Sequence, residues 1–221
     1  MKPKTVLAVM VIAAQAALAG YIALWGPTTP IPMHFDWNGG VNRWGSRGEA
    51  ALVVGGMACL SVILLLGLGQ LSQRKGSPDD PRRLSQAHIL GLGLTTATCG
   101  LVAAMTFGWM AQGDSSPRLQ MAFLCAIFLF LGAYLGKVTP NALVGVRTPW
   151  TFGSRLAWEK SNRLAGRLFF WGGIVGLIAA TFAPQPLGLH ATLIGILVAG
   201  AASVAESWRV WRSDPDRTGW G

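Results

Sequence analysis

Charge is what this chain is short of. Only 12% of its 221 residues are Asp, Glu, Lys or Arg, about half the roughly 25% of an average soluble protein. With mean hydropathy of +0.44, there is too little polar surface to cover a water-soluble fold. Three histidines and three cysteines are too few and too scattered to suggest a metal-ligand set. Cys59, Cys99 and Cys125 each fall inside an apolar run, where a small thiol serves packing. No phosphate-cradling loop, His-Glu-x-x-His helix or Gly-x-Ser-x-Gly elbow occurs. The expectation is therefore no metal, no cofactor and no assigned catalytic residue, which weighs against an enzyme and leaves that class open.

What is present is apolar length. Six runs approach the ~20 residues that cross a ~30 Å hydrocarbon core: Thr5 to Trp25, Ala50 to Leu71, Ala87 to Ala111, Leu119 to Gly136, Leu168 to Ala183 and Leu187 to Ala205. The expected fold is an all-α integral membrane protein with six transmembrane helices, a multi-pass resident of the lipid bilayer. The fifth run is the shortest and is expected to extend back into the loop before it. Pro184-Gln185-Pro186, between the fifth and sixth runs, calls for a tight helical hairpin. Lys2 and Lys4, with Ala17-Leu18-Ala19 downstream, resemble a cleavable signal. The apolar run continues to Trp25, however, so the expectation is an uncleaved first helix.

The basic residues orient the chain. With the N-terminus inside, all but three of the 18 Lys and Arg lie on the inner side, leaving Arg43, Arg47 and Arg118 outside, balanced by Asp36, Glu49 and Asp114. Both termini are therefore expected to be cytoplasmic. The net charge of +9 is explained by an anionic leaflet rather than by nucleic acid. Inside the spans ionisable residues are nearly absent: His88, His190 and Glu206 all sit near predicted ends. Ion-coupled carriers hold costly charges near mid-membrane, so such a carrier is disfavoured.

Glycine is abundant, with 29 residues. Gly132-x-x-x-Gly136 and Gly172-x-x-x-Gly176 permit close helix approach, in either an intramolecular bundle or a homo-oligomer.

Two loops carry the polar chemistry. The outer loop 26–49 contains Pro30 and Pro32, which set an extended approach, and Asn38-Gly39-Gly40, which supplies a sharp turn. On an extended strand His34 and Asp36 share a face, where the carboxylate would hold the imidazole. The alternative is an ordinary loop histidine flanked by the interfacial anchors Trp37 and Trp44.

In the inner loop 137–167, Thr148-Pro149 fixes an extended residue and Ser154 is placed to cap a helix. Arg155, Glu159 and Arg163 then recur at i,i+4, so an interfacial helix is expected to run into span five. Arg147 lies near Asn141, Thr148 and Thr151. There it is either a fork for a carboxylate, phosphate headgroup or peptide terminus, or a tie between the loop and helix carbonyls. The two loops also echo one another, Gly40-Val41-Asn42-Arg43-Trp44-Gly45-Ser46-Arg47 against Gly145-Val146-Arg147, Trp150 and Gly153-Ser154-Arg155. An inverted three-plus-three repeat produces such an echo, and so does chance among Gly, Arg and Trp.

Asn141-x-x-x-Gly145-Val146-Arg147-Thr148-Pro149-Trp150-Thr151, with Trp158, Asn162 and Gly166-Arg167 downstream, resembles the signature of the SdpI family of bacterial membrane proteins. Pro32-x-His34-Phe35, Asn38-Gly39 and Trp44-Gly45-Ser46-Arg47 resemble an uncharacterised N-terminal module that often accompanies it. The resemblance implies two parts, an N-terminal module over 1–71 and an SdpI-like module over 72–221. It also implies a bacterial plasma (inner) membrane protein that confers immunity to a secreted antimicrobial peptide and signals by holding a transcriptional repressor at the membrane. Asn162 stands where many members of the family have histidine, which puts a proton-transfer role there in doubt.

The binding residues expected on this basis fall in two sets. His34, Asp36, Trp37 and Trp44 would face an extracellular toxin peptide, while Asn141, Arg147, Thr148, Trp150, Thr151, Trp158, Asn162 and Arg167 would form the inner group. The competing class is a membrane enzyme or a small-molecule or lipid carrier using the same inner polar residues.

Overall fold

A computed structural model describes residues 3–73, 81–109, 115–138, 140 and 144–218. Among the described residues six helices are long and apolar enough to cross a membrane: Thr5–Trp25, Arg47–Gly67, Ala87–Thr106, Ser116–Leu135, Arg155–Ala180 and Leu187–Ser213. The chain is a multi-pass, all-α membrane protein, with a two-stranded hairpin in one loop. Its elements in order are α1 (Pro3–Trp25), β1 (Ile31–Phe35), β2 (Val41–Gly45), α2 (Arg47–Gln73), α3 (Pro81–Thr106), α4 (Ser115–Leu135), α5 (Pro149–Phe152), α6 (Arg155–Ala180) and α7 (Leu187–Ser213).

The chain divides into two compact units, Met1–Leu119 and Gln120–Gly221. Within the first unit α3 packs on α1 and α2.

In the first unit, Ile31 of the hairpin enters an apolar core with Ile22, Val54, Val102 and Met105. A polar node joins the three helices within the apolar span. Gln15 donates through Nε2 to Thr95 Oγ1 at 3.3 Å and Thr96 Oγ1 at 3.1 Å, and accepts from Ser61 Oγ at 3.0 Å. With no water in the hydrocarbon, such groups must satisfy one another.

In the second unit, glycines set the approach of α4 and α6. A Cβ on Gly166 would lie 2.6 Å from Gly136 N, one on Gly173 would lie 2.8 Å from Cys125 O, and one on Gly132 would strike Phe170 N. The Gly132/Gly136 pair thus serves contact within one chain. Gly172 faces open space, and Gly173 and Gly176 do the packing. The fifth span extends back to Arg155 as one continuous helix, as expected. α6 packs on α7 across the Pro184-Gln185-Pro186 turn.

Candidate functional site

Loop 26–49 folds as an antiparallel hairpin, β1 on β2, with irregular register at His34. Asp36 shapes its turn. One carboxylate oxygen accepts from Asn38 N at 2.9 Å and Gly40 N at 2.8 Å. Gly39 occupies the left-handed region at φ 82°. Its face is closed by Pro117, whose Cγ would sit 2.9 Å from an added Cβ.

The pairing of His34 with Asp36 does not form. β1 ends at Phe35, Asp36 turns into the loop, and His34 Nδ1 lies 2.6 Å from Asn42 Oδ1 instead. Arg43 is neutralised by Glu49 at 2.6 Å. Trp37 and Trp44 remain 52% and 43% exposed.

Beside the hairpin lies an open cleft of about 630 Å³, walled by Tyr21, Trp25, Pro32, Trp44, Phe107 and Gly108. Tyr21 is the hub of its aromatic wall, with ring centroids 5.9 Å from Trp25 and 6.1 Å from Phe107. Such walls give contact area at low entropic cost. Tyr21, Trp25 and Phe107 belong to apolar runs, so sequence reasoning missed them. Only folding gathers them beside Trp44.

The second polar group forms a corner between α5 and the end of α7. Gly145, at φ 137°, turns the chain so that Val146 N donates to Asn162 Oδ1 at 2.7 Å. Asn162 Nδ2 donates to Trp158 O at 2.9 Å, and Trp158 Nε1 to Val138 O at 3.0 Å. Trp158 and Asn162 are each 1% exposed.

Thr148 is extended, as a residue before proline must be, and caps α5 in a reciprocal box with Thr151. Its Oγ1 also meets Ser207 Oγ at 3.0 Å. Ser154 caps α6 by accepting from Ala157 N at 2.9 Å, and its hydroxyl donates to the buried Asp214. Thr218 N donates to Gly153 O at 2.9 Å.

The inner group therefore splits. Thr148, Thr151, Trp158 and Asn162 are buried and spend their polar atoms on one another and on backbone. Trp150 is half-buried. Arg147 and Arg167 are exposed, Arg147 with its guanidinium 5.5 Å from the Phe152 ring centroid and Arg167 donating to Arg163 O at 3.4 Å. Asn141 lies outside the described residues. Arg155 pairs with Glu159 at 3.0 Å, as their spacing implies.

Ser207 and Asp214 were missed in the sequence. Their one signal is polarity at the end of an apolar run, which does not say what they meet. The two loops also differ locally, one a β-hairpin and the other a short capped helix, so the sequence echo has no counterpart in secondary structure.

Among the described residues no group of three or more His, Cys, Asp or Glu is arranged to hold a metal ion. An apolar groove of about 340 Å³ among the spans of the second unit has Thr192 as its one lining hydroxyl. That hydroxyl donates to Gly188 O at 3.0 Å.

Residues 137–205 match the family described as the SdpI/YfhL protein family. The matched stretch contains the described part of the signature, Gly145 to Thr151 with Trp158, Asn162 and Arg167. No curated protein and no solved structure matches the chain.

Proposed function

We propose that the chain is an immunity protein of the bacterial inner membrane, a reading supported by the match of residues 137–205 to the SdpI/YfhL family and by its six membrane-length helices. It protects the cell by engaging a secreted antimicrobial peptide at the outer face, with both termini in the cytoplasm. The observation that carries the binding step is the aromatic cleft beside the hairpin, open to solvent and walled by Tyr21, Trp25, Trp44 and Phe107. Membrane-active peptides are amphipathic, and a cleft of rings with proline edges suits one apolar face of such a chain. The balanced charge of this end, where Arg43 is held by Glu49, favours recognition by aromatic contact over recognition by charge.

The buried part of the Arg147 corner supports a structural role. Its hydroxyls, amide and indole are engaged within the corner, which leaves little for an enzyme or carrier to use. Holding a regulator at the inner face, the further implication of the family resemblance, has no comparable cleft in its favour.

The test is survival of a host exposed to a panel of secreted antimicrobial peptides. Expression of the chain should raise survival against at least one of them. At equal membrane abundance, Trp44→Ala and Trp25→Ala should each cut protection about tenfold or more, the cost of removing an aromatic anchor. Trp171→Ala, an exposed aromatic that is not part of the cleft wall, should not. Full protection by both cleft variants would remove the cleft from the mechanism, and no protection by the parent chain against any peptide would remove the immunity function.

A further inference from the structure

We propose that the corner where α5 meets the last turns of α7 is a docking site for anionic phospholipid headgroups, with Arg147 and Arg212 as its phosphate-binding cations. The distinguishing feature is what these two arginines rest on. Arg43, Arg155 and Arg209 are each matched by a glutamate at 2.6, 3.0 and 2.7 Å. Arg147 and Arg212 instead lie over aromatic rings, Phe152 at 5.5 Å and Trp208 at 5.0 Å from centroid to guanidinium carbon. A ring under the guanidinium holds its plane without cancelling its charge, and it leaves the N–H edges free for phosphate oxygens.

The supporting rings are themselves exposed, Phe152 at 61% and Trp208 at 43%. Exposed rings carrying cations match the headgroup level of a bilayer, where one side of the pair is apolar and the other wet.

Position agrees. The apolar part of α7, residues 187–205, covers about 28 Å at 1.5 Å per residue, close to the full hydrocarbon thickness. Trp208 and Arg212 therefore fall one to two turns beyond its edge. α5 is fastened to the same level by the Thr148 to Ser207 and Thr218 to Gly153 hydrogen bonds.

The acids of this corner do not compensate the two arginines. Glu206 is held by Arg209, Asp214 is turned inward on Ser154, and Asp216 is the one exposed carboxylate among the described residues of the corner. Arg217 is a fastener rather than a ligand, because it donates to the Arg212 and Trp211 carbonyls at 2.7 and 3.3 Å while stacking on Trp211. The site is independent of the peptide cleft, which lies in the other compact unit.

The test uses the purified full-length chain in neutral detergent, titrated with dioctanoyl phosphatidylglycerol or dioctanoyl phosphatidylcholine while thermal unfolding is followed. Phosphatidylglycerol should raise the unfolding temperature well beyond phosphatidylcholine, and 0.5 M NaCl should erase most of the difference. The paired substitution Arg147→Gln with Arg212→Gln should weaken the phosphatidylglycerol response on the order of tenfold. Arg43→Gln, at the hairpin, should leave it unchanged.

Both corner side chains are exposed, so the paired variant should unfold at the parent temperature in phosphatidylcholine. Should it not, retention of phosphatidylglycerol by each single variant in native mass spectrometry gives the same comparison. Equal response to the two lipids, a full phosphatidylglycerol response in the variants, or equal loss in Arg43→Gln would overturn the site. Equal stabilisation by sodium phosphate would overturn it in favour of a soluble anion.

Discussion

Gly145→Ala is the sharpest probe of the corner. An added Cβ would sit 2.7 Å from Asn162 Oδ1 and 2.8 and 2.9 Å from two atoms of the Trp158 ring. It would do so at φ 137°, a backbone conformation that L residues rarely adopt. Holding alanine there costs about 1–3 kcal/mol in backbone strain. Asn162 and Trp158 are each 1% exposed, so neither can move aside into solvent. If the methyl group displaces Asn162, the Val146 N–H loses its acceptor, at about 1–3 kcal/mol for an orphaned buried donor.

The expected loss is thus about 2–6 kcal/mol, large beside typical single substitutions of roughly 0.5–3 kcal/mol. Asn162→Ala removes the same acceptor without the strain and should cost about 1–3 kcal/mol. The orphaned Val146 N–H is common to both variants. Their combination should therefore fall short of the sum by about 1 kcal/mol or more, a coupling characteristic of residues in contact. Unfolding in detergent, followed by tryptophan fluorescence and circular dichroism together, measures all three variants. A Gly145→Ala chain within about 0.5 kcal/mol of the parent, or strict additivity in the pair, would refute this account of the corner.

Asp214→Ala leaves Ser154 as a helix cap but removes the anchor of the C-terminal turn. It should cost about 1.5–3 kcal/mol and speed hydrogen exchange at the Thr218 amide, and unchanged exchange there would contradict the anchoring role. Gln15→Leu breaks three side-chain bonds in the first unit yet should cost only about 1 kcal/mol by unfolding in detergent. Ser61, Thr95 and Thr96 keep backbone acceptors at Met57 and Leu92, and hydrogen bonds between membrane helices average about 0.6 kcal/mol. A loss above about 3 kcal/mol, nearly twice the largest such bond, would mark the node as something more than a helix clamp. For orientation, a cysteine at Asn38 in a cysteine-free background should react with an impermeant maleimide on intact cells, and one at Lys160 should react only after lysis. The reverse pattern would invert the topology.

Local devices were legible in the chain itself. The six spans follow from apolar length, because a helix in hydrocarbon satisfies its own backbone and needs no distant partner. Thr148-Pro149 and the Ser154 cap act within three residues, and the Asp36 turn within four, so composition and order suffice to read them. The same locality limits what can be read at His34. Two residues of spacing suggested Asp36, but irregular strand pairing delivered Asn42 from eight residues away.

The corner was visible only as a dense motif. Its meaning comes from bonds across long separations, 16 residues from Val146 to Asn162, 59 from Thr148 to Ser207 and 60 from Ser154 to Asp214. The aromatic cleft is likewise made by packing, since Tyr21, Trp44 and Phe107 belong to three separate segments. The sequence alone determined that this chain lives in a membrane and where it turns, because those choices are local and the bilayer enforces them. Which polar groups close on one another, and which arginines stay free to meet a ligand, was decided only by the faces the helices present when packed.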